Sequence, residues 1–273
     1  LPEFVGISAL PKANSLVAIS DNTVNLVSWP LGAFFVVQFN GGVLIVVTIV
    51  LYIFGWLLTF GIKSIIYVRR ELPSLKEQLS GGWKYSFSEK SIRNILILDM
   101  LTAFAGAVWI SAILYVYVDE VLGQNEAWWG YINAFYSGGF IIGGYLFAKL
   151  VEVSGQRMIV VGCFLTSFLT VCFIYPQFAV VSLVISLFLG IFGQLQMIAQ
   201  LTILQTHTEN DQLGHVFSVQ SVLVMGAFGV ATFLFGWVAE TYGITSAFYL
   251  SAIVMFGIGL FAIMQKKTLT YAD

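Results

Sequence analysis

The chain of 273 residues is 59% hydrophobic and only 10% charged, with a net charge of −2 and a mean hydropathy of +0.91. Soluble domains carry about 25% charged residues, so this chain has too little polar surface to cover a water-soluble fold, and its outside faces lipid. It also lacks the basic stripe and aromatic motifs of a nucleic-acid binder.

A helix needs about 20 mostly apolar residues to cross the roughly 30 Å hydrocarbon core, where only helices and closed barrels satisfy their backbone groups. Eight stretches qualify, at about Leu16 to Val37, Val43 to Ile62, Ile95 to Tyr117, Trp128 to Leu150, Met158 to Tyr175, Ala179 to Leu204, Val216 to Val238 and Ala247 to Met264. None shows the strict alternation of barrel strands of about ten residues. The fold class expected is an all-α polytopic membrane protein of about eight transmembrane helices. Turn signals separate the stretches at Asn40-Gly41-Gly42, Leu122-Gly123-Gln124-Asn125, Ser154-Gly155, Tyr175-Pro176, Asn210-Asp211 and Tyr242-Gly243.

The longest polar stretch, Tyr67 to Asn94, divides the chain into residues 1–66, a linker at 67–93, and residues 94–273. Within it, Pro73 to Leu79 suit a short interfacial helix ended by a break at Gly81-Gly82. Basic residues alternate with the spans: Lys12, Lys63, Arg69, Arg70, Lys76, Lys84, Lys90, Arg93, Lys149, Arg157, Lys266 and Lys267 all fall on one side. By the positive-inside rule that side is cytoplasmic, with both termini of this chain there and a cell (inner) membrane as the location.

Polar residues inside spans are costly, about 2.5–3.5 kcal/mol for Asp at a helix centre, and so face a bundle interior or an aqueous cavity. Asp21, Asn25, Ser28 and Gly32 share one helical face. Asp21 either lines a cavity there or pairs with a loop cation near the interface. Asp99 shares its face with Thr102 and Gly106 and either exchanges a proton or makes a structural hydrogen bond. In the sixth span Gln196 and Gln200 share a face with Gly193, while Gln194 lies apart. Such amides either hold helices together or touch a substrate. Asn133 with Ser137 is a further candidate for the cavity. Glycine pairs Gly139/Gly143 and Gly226/Gly229 suit close helix packing.

His207 and His215 flank Glu209 and Asp211, but no helical register gathers them, so a solvated loop is expected rather than a metal site. The chain has no H-E-x-x-H, P-loop or nucleophile elbow. No catalytic residue, metal or cofactor is therefore expected. Cys163 and Cys172 lie nine residues apart on one span, about 13 Å along a straight helix, too far for a disulfide.

Four segments carry a family resemblance. They are Leu10-Pro11-Lys12-Ala13-Asn14-Ser15-Leu16; Gly81-Gly82-Trp83-Lys84-Tyr85 with Ser91-Ile92-Arg93-Asn94; Gly143-Gly144-Tyr145-Leu146-Phe147-Ala148-Lys149-Leu150 followed by Gly155-Gln156-Arg157; and Gln205, Leu213-Gly214-His215-Val216-Phe217-Ser218 with Phe235-Gly236-Trp237-Val238-Ala239. In order, these resemble the major facilitator superfamily from the fifth helix to the eleventh, in the drug-exporter branch of macrolide and enterobactin exporters. The chain departs from that branch at Trp29, where the fifth-helix motif has glycine, at His215, where arginine is usual, and beside Lys149, where an acid is missing.

The resemblance implies a partial fold lacking the first four helices. Residues 1–66 would then be the last two helices of an N-terminal bundle, 67–93 the cytoplasmic linker, and 94–273 a C-terminal six-helix bundle. It implies a proton-coupled antiporter moving small amphipathic molecules outward by alternating access. Its partners would be the substrate, protons and the lipid bilayer. Asp99 and Asp21 would be the proton-coupling candidates, Asn25, Ser28, Thr102, Asn133, Gln196 and Gln200 would line the cavity, and Gly144, Lys149, Gly155 and Arg157 would form the conformational loop motif. A siderophore or metabolite exporter and a truncated, non-transporting fragment are the competing readings.

Overall fold

The computed structural model describes residues 9–60, 75–109, 111–125, 127–150, 153–175 and 178–271, and within them not the side chains at 25, 29–41, 44, 75–79 and 111. Among the described residues the regular structure is all helical: α1 Leu10–Thr59, α2 Leu75–Ser88, α3 Lys90–Gly106, a 3-10 turn Ala107–Trp109, α4 Ser111–Glu120, α5 Ala127–Lys149, α6 Gly155–Phe173, α7 Ala179–His207, α8 Leu213–Tyr242 and α9 Ile244–Met264. Among them, α3 with its 3-10 turn, α6, α7, α8 and α9 are long and apolar enough to cross a membrane. The six predicted spans after the linker each coincide with a helix, except that the first of them is interrupted by the 3-10 turn at Ala107–Trp109.

Two expected breaks are corrected. Asn40-Gly41-Gly42 forms no turn, and Leu10–Thr59 is one helix, about 75 Å long at 1.5 Å per residue. Helical glycine costs only about 1 kcal/mol relative to alanine, whereas a turn is held by what the returning segment packs against. From Ile45 to Phe60 nearly every side chain is exposed, so nothing there rewards a reversal. Gly81-Gly82 likewise sits inside α2. A Cβ on Gly82 would lie 3.1 Å from His215 Cβ, so that glycine lets α2 lie close against α8 instead of ending a helix. The Glu209 N–H donates to Tyr85 Oη at 3.3 Å, and burial raises the Tyr85 phenol above its ordinary pKa. The expected helix start at Pro73 and the turn at Tyr175-Pro176 reach beyond the described residues, as do Lys63, Arg69 and Arg70.

Helices α3 to α9 enclose two stacked apolar layers. One holds Ile92, Ile95, Leu96, Phe147, Ile159, Ile198 and Val216. The other holds Val108, Leu114, Ile132, Phe235 and an aromatic cluster in which Tyr117 meets Phe173 and Phe248 at centroid distances of 4.8 and 5.0 Å. The ends near the first layer carry Lys12, Lys90, Arg93, Lys149, Arg157, Lys266 and Lys267. They are tied by Asn94, whose Nδ2 donates to Gln265 Oε1 at 2.9 Å and to Thr268 Oγ1 at 2.8 Å.

The tightest helix contact is α5 on α7. A Cβ on Gly139 would come within 2.0 Å of the Leu187 carbonyl oxygen, and one on Gly190 within 2.2 Å of that of Tyr136. Gly143 meets α7 similarly, at 2.6 Å from the Ile191 oxygen, so the first glycine pair packs as expected. Gly226 and Gly229 face nothing within 4 Å, so the second pair supports no close contact here.

Because backbone occupies the space, Gly139→Val is expected to destabilise the fold by about 3 kcal/mol or more. Gly226→Ala, with open space around it, should leave stability unchanged or slightly raised. Thermal unfolding of the two purified variants in one detergent checks this contrast; equal losses would contradict the assignment of α5 and α7 as the central contact.

Candidate functional site

Where the two apolar layers meet, a cavity of about 110 Å³ opens among α3, α5, α6, α7 and α9. Its lining spans both layers, with Ala105 and Met255 from the first and Leu189 from the second. The polar groups on it are Thr102, Tyr136, Thr166, Gln196 and Ser251, set against Trp109 and Phe140. Each comes from a different physical circumstance. The 3-10 turn that ends α3 presents Trp109. The bare face of Gly193 leaves room beside α5, since a Cβ there would reach the Tyr136 hydroxyl only at 3.9 Å.

Gln196 is 1% exposed. Its Nε2 donates to Thr102 Oγ1 at 3.0 Å, while its Oε1 is buried with no hydrogen-bond partner. Thr166 Oγ1 is also buried and unpartnered. A buried polar group left unsatisfied costs about 1–3 kcal/mol, so two of them on one small cavity mark a place where something polar belongs. Ser251 is already engaged, donating to the Ala105 carbonyl at 2.8 Å.

Near the cavity's first-layer side, α3 carries Asp99 towards α8. Gln220 Nε2 donates to Asp99 Oδ2 at 2.6 Å, and the aspartate is half-buried. An amide, rather than a cation, is thus the group bonded to this carboxyl. A third polar contact joins α1 to α7: Asn14 Nδ2 donates to Thr202 Oγ1 at 3.0 Å and to Gln205 Oε1 at 2.7 Å, with Asn14 only 3% exposed.

The predicted residues separate into those the fold gathers and those it does not. Thr102 and Gln196 meet on the cavity. Gln200 is 2% exposed and its Nε2 lacks a partner, but it does not line the cavity. Asn133 donates to the Trp129 carbonyl one turn back at 2.8 Å and is likewise outside the lining. Asp21 and Ser28 are exposed on α1, which packs on α5 and α7; the side chain of Asn25 lies outside the described residues. In the loop motif, Gly144 admits Ile19 of α1, whose Cγ1 would be 2.7 Å from a Cβ there, and Gly155 similarly admits Ile203 and Tyr271. Lys149 Nζ lies 4.6 Å from the centre of the Tyr145 ring, and Arg157 is exposed. No three His, Cys, Asp or Glu side chains among the described residues are grouped to hold a metal.

Sequence reasoning missed Gln220, Tyr136, Thr166, Ser251 and Trp109. Gln220 was legible on the same grounds as Gln196, an amide deep in a span; the other four become notable only through their shared cavity.

The sequence pattern of the Major Facilitator Superfamily matches residues 1–224 and, in an overlapping second match, 129–270. The chain belongs to the major facilitator superfamily. Two curated proteins of Bacillus subtilis (strain 168) resemble it along nearly its whole length. "Uncharacterized MFS-type transporter YfmI" is 28% identical over 268 residues, covering 94% of this chain and 64% of that protein. "Uncharacterized MFS-type transporter YjbB" is 26% identical over 277 residues, covering 99% of this chain and 67% of that protein. The chain thus spans about two thirds of the length of these relatives. Family and fold together make it a multi-pass membrane protein of a transporter family.

The Gln196–Thr102 bond bridges α7 and α3 across the cavity. A double-mutant cycle of Gln196→Leu and Thr102→Val, read from thermal unfolding, is expected to give a coupling of about 0.6 kcal/mol, the ordinary value for such bonds in membranes. A coupling of zero would mean the two side chains do not act together.

Proposed function

We propose that this chain works in a secondary active exporter that moves small amphipathic, drug-like or macrolide-like molecules outward by alternating access, in exchange for protons. The observation that carries the reading is Asp99, a carboxyl in a membrane-spanning helix bonded to the Gln220 amide on a second helix. A carboxyl so placed can take up or release a proton when the helices around it move and its access to water changes. The bond crosses from α3 to α8, so any rearrangement of these two helices alters the carboxyl's surroundings. Asp21, exposed on α1, is the second candidate for coupling.

In this reading residues 94–273 form one rocking half, 67–93 the linker, and 1–66 part of the other half. Asn14 with Thr202 and Gln205, and Gly144 with Ile19, are contacts that must break and reform as the halves rock. The basic ends face the cytoplasm of the cell membrane, because Lys and Arg are retained on the side of synthesis. Substrate contact falls to Thr102 and Gln196. A siderophore or metabolite exporter uses the same machinery, and an accumulation panel of both compound classes in a pump-deficient host separates the two.

Asp99→Asn keeps the shape of the side chain and removes the exchangeable proton. It is expected to abolish uphill, gradient-driven efflux of a fluorescent substrate while leaving expression intact; efflux at the original rate would remove Asp99 from the mechanism. For the topology, cysteine placed at Arg157 should react with a membrane-impermeant maleimide only after the cells are opened. Labelling from outside would reverse the assigned orientation.

A further inference from the structure

We infer that the cavity beside Gln196 is a subsite for one uncharged, hydrogen-bonding group of the transported molecule, a hydroxyl or an amide, and that it discriminates against charged groups. The inference rests on the transport reading for its purpose and deepens it by naming what the site selects.

Size limits the occupant first. A volume of about 110 Å³ is well below the roughly 300–1,000 Å³ of a site that takes a whole drug-sized ligand. It holds a few waters at about 30 Å³ each, or a single functional group with the atoms next to it. The rest of the molecule must lie outside.

Chemistry limits it second. None of the lining residues is Asp, Glu, Lys, Arg or His, so a charged group entering would lose its hydration and find no counter-ion. Trp109 and Phe140 offer a cation only the weaker attraction of an aromatic face. The unmet needs of the wall are those of a neutral partner. Gln196 Oε1 requires a donor, and the buried Thr166 hydroxyl can give or accept. A hydroxyl or primary amide supplies both roles at once. One end of the Gln196 amide is bonded to Thr102, so the other end is held in place before any ligand arrives, and a hydroxyl or primary amide, being both donor and acceptor, can serve it in either amide orientation.

The test uses three probes of similar size: 4-nitrobenzyl alcohol, 4-nitrotoluene and 4-nitrobenzylamine kept as its ammonium by a mildly acidic buffer, whose nitroaromatic ring quenches tryptophan. The chain is reconstituted in lipid nanodiscs with no ion gradient, and the fluorescence attributable to Trp109 is taken as its difference from Trp109→Phe. The alcohol should quench this signal saturably, whereas the other two should show only the linear quenching of partition into lipid. Gln196→Leu should weaken the alcohol about tenfold, as expected for losing one hydrogen bond to a buried group. Thr166→Val, nearly isosteric, should do the same by a smaller factor, and a single cooperative melting transition well above the assay temperature shows that both variants fold.

Equal behaviour of the three probes, indifference to Gln196→Leu, or no saturable quenching at all, the result of a cavity that holds only water, overturns the inference. Because no gradient is present, the outcome is independent of proton coupling. A chain that exports substrate but fails this test sinks the subsite alone.

Discussion

Inside a bilayer the lipid tails are as apolar as leucine, so helices gain nothing by merely hiding apolar surface from one another. They associate through close packing and through hydrogen bonds that lipid does not offer. In this chain the packing term is concentrated where α5 and α7 bring backbone against backbone at Gly139 and Gly190. That contact fixes the distance between the two helices. It thereby fixes the width of the space on their other side, where Tyr136 of α5 and Gln196 of α7 look into a common cavity. Gly162 continues the pattern by letting α6 approach Gln196, whose Cβ would be 2.9 Å from a Cβ on that glycine.

The hydrogen-bonding term is distributed with an asymmetry that bears on function. At the basic ends amide nitrogens are employed: Asn94 to the segment after α9, and Gln156 to the Ala262 carbonyl at 3.1 Å. Deeper in the bundle they are not, since both amide atoms of Gln194, the oxygen of Gln196 and the nitrogen of Gln200 are buried without partners. Satisfied amides hold helices; unsatisfied ones leave the middle of the bundle under-committed. In the transport reading proposed for this chain, that division gives firm ends and an interior whose polar groups are free to change partners.

Much of this was readable from residue order. Hydropathy and the turn signals between apolar runs located the helices from Ile95 onward, because solvation acts on each segment alone; the same-side placement of Lys12 and Lys63 assumed a turn at Asn40-Gly41-Gly42 that the single helix Leu10–Thr59 does not contain. Asp99, Thr102 and Gln196 stood out for the same reason, as costly residues in apolar surroundings. What sequence withheld were matters of partnership. Gly139/Gly143 and Gly226/Gly229 are equivalent as strings, yet only the first pair has a helix facing it. Gly41-Gly42 and Gly81-Gly82 both suggest breaks, and both are helical, one because nothing packs against a returning segment and one because His215 does. Thr166, Tyr136 and Ser251 are ordinary side chains until a cavity among five helices gives them a common purpose.

The anchoring of Asn94 also orders events in time. Its partner Thr268 is 174 residues further on, and Tyr271 from the same terminal segment covers Gly155 at the start of α6. Helices delivered to the membrane one after another during synthesis therefore wait with these two positions uncovered until the segment after α9 has been made. The packing of α3 and α6 is thus completed by the segment after α9, and a nascent chain stalled just beyond Met264 would hold α3 to α9 yet lack the fastener that closes them.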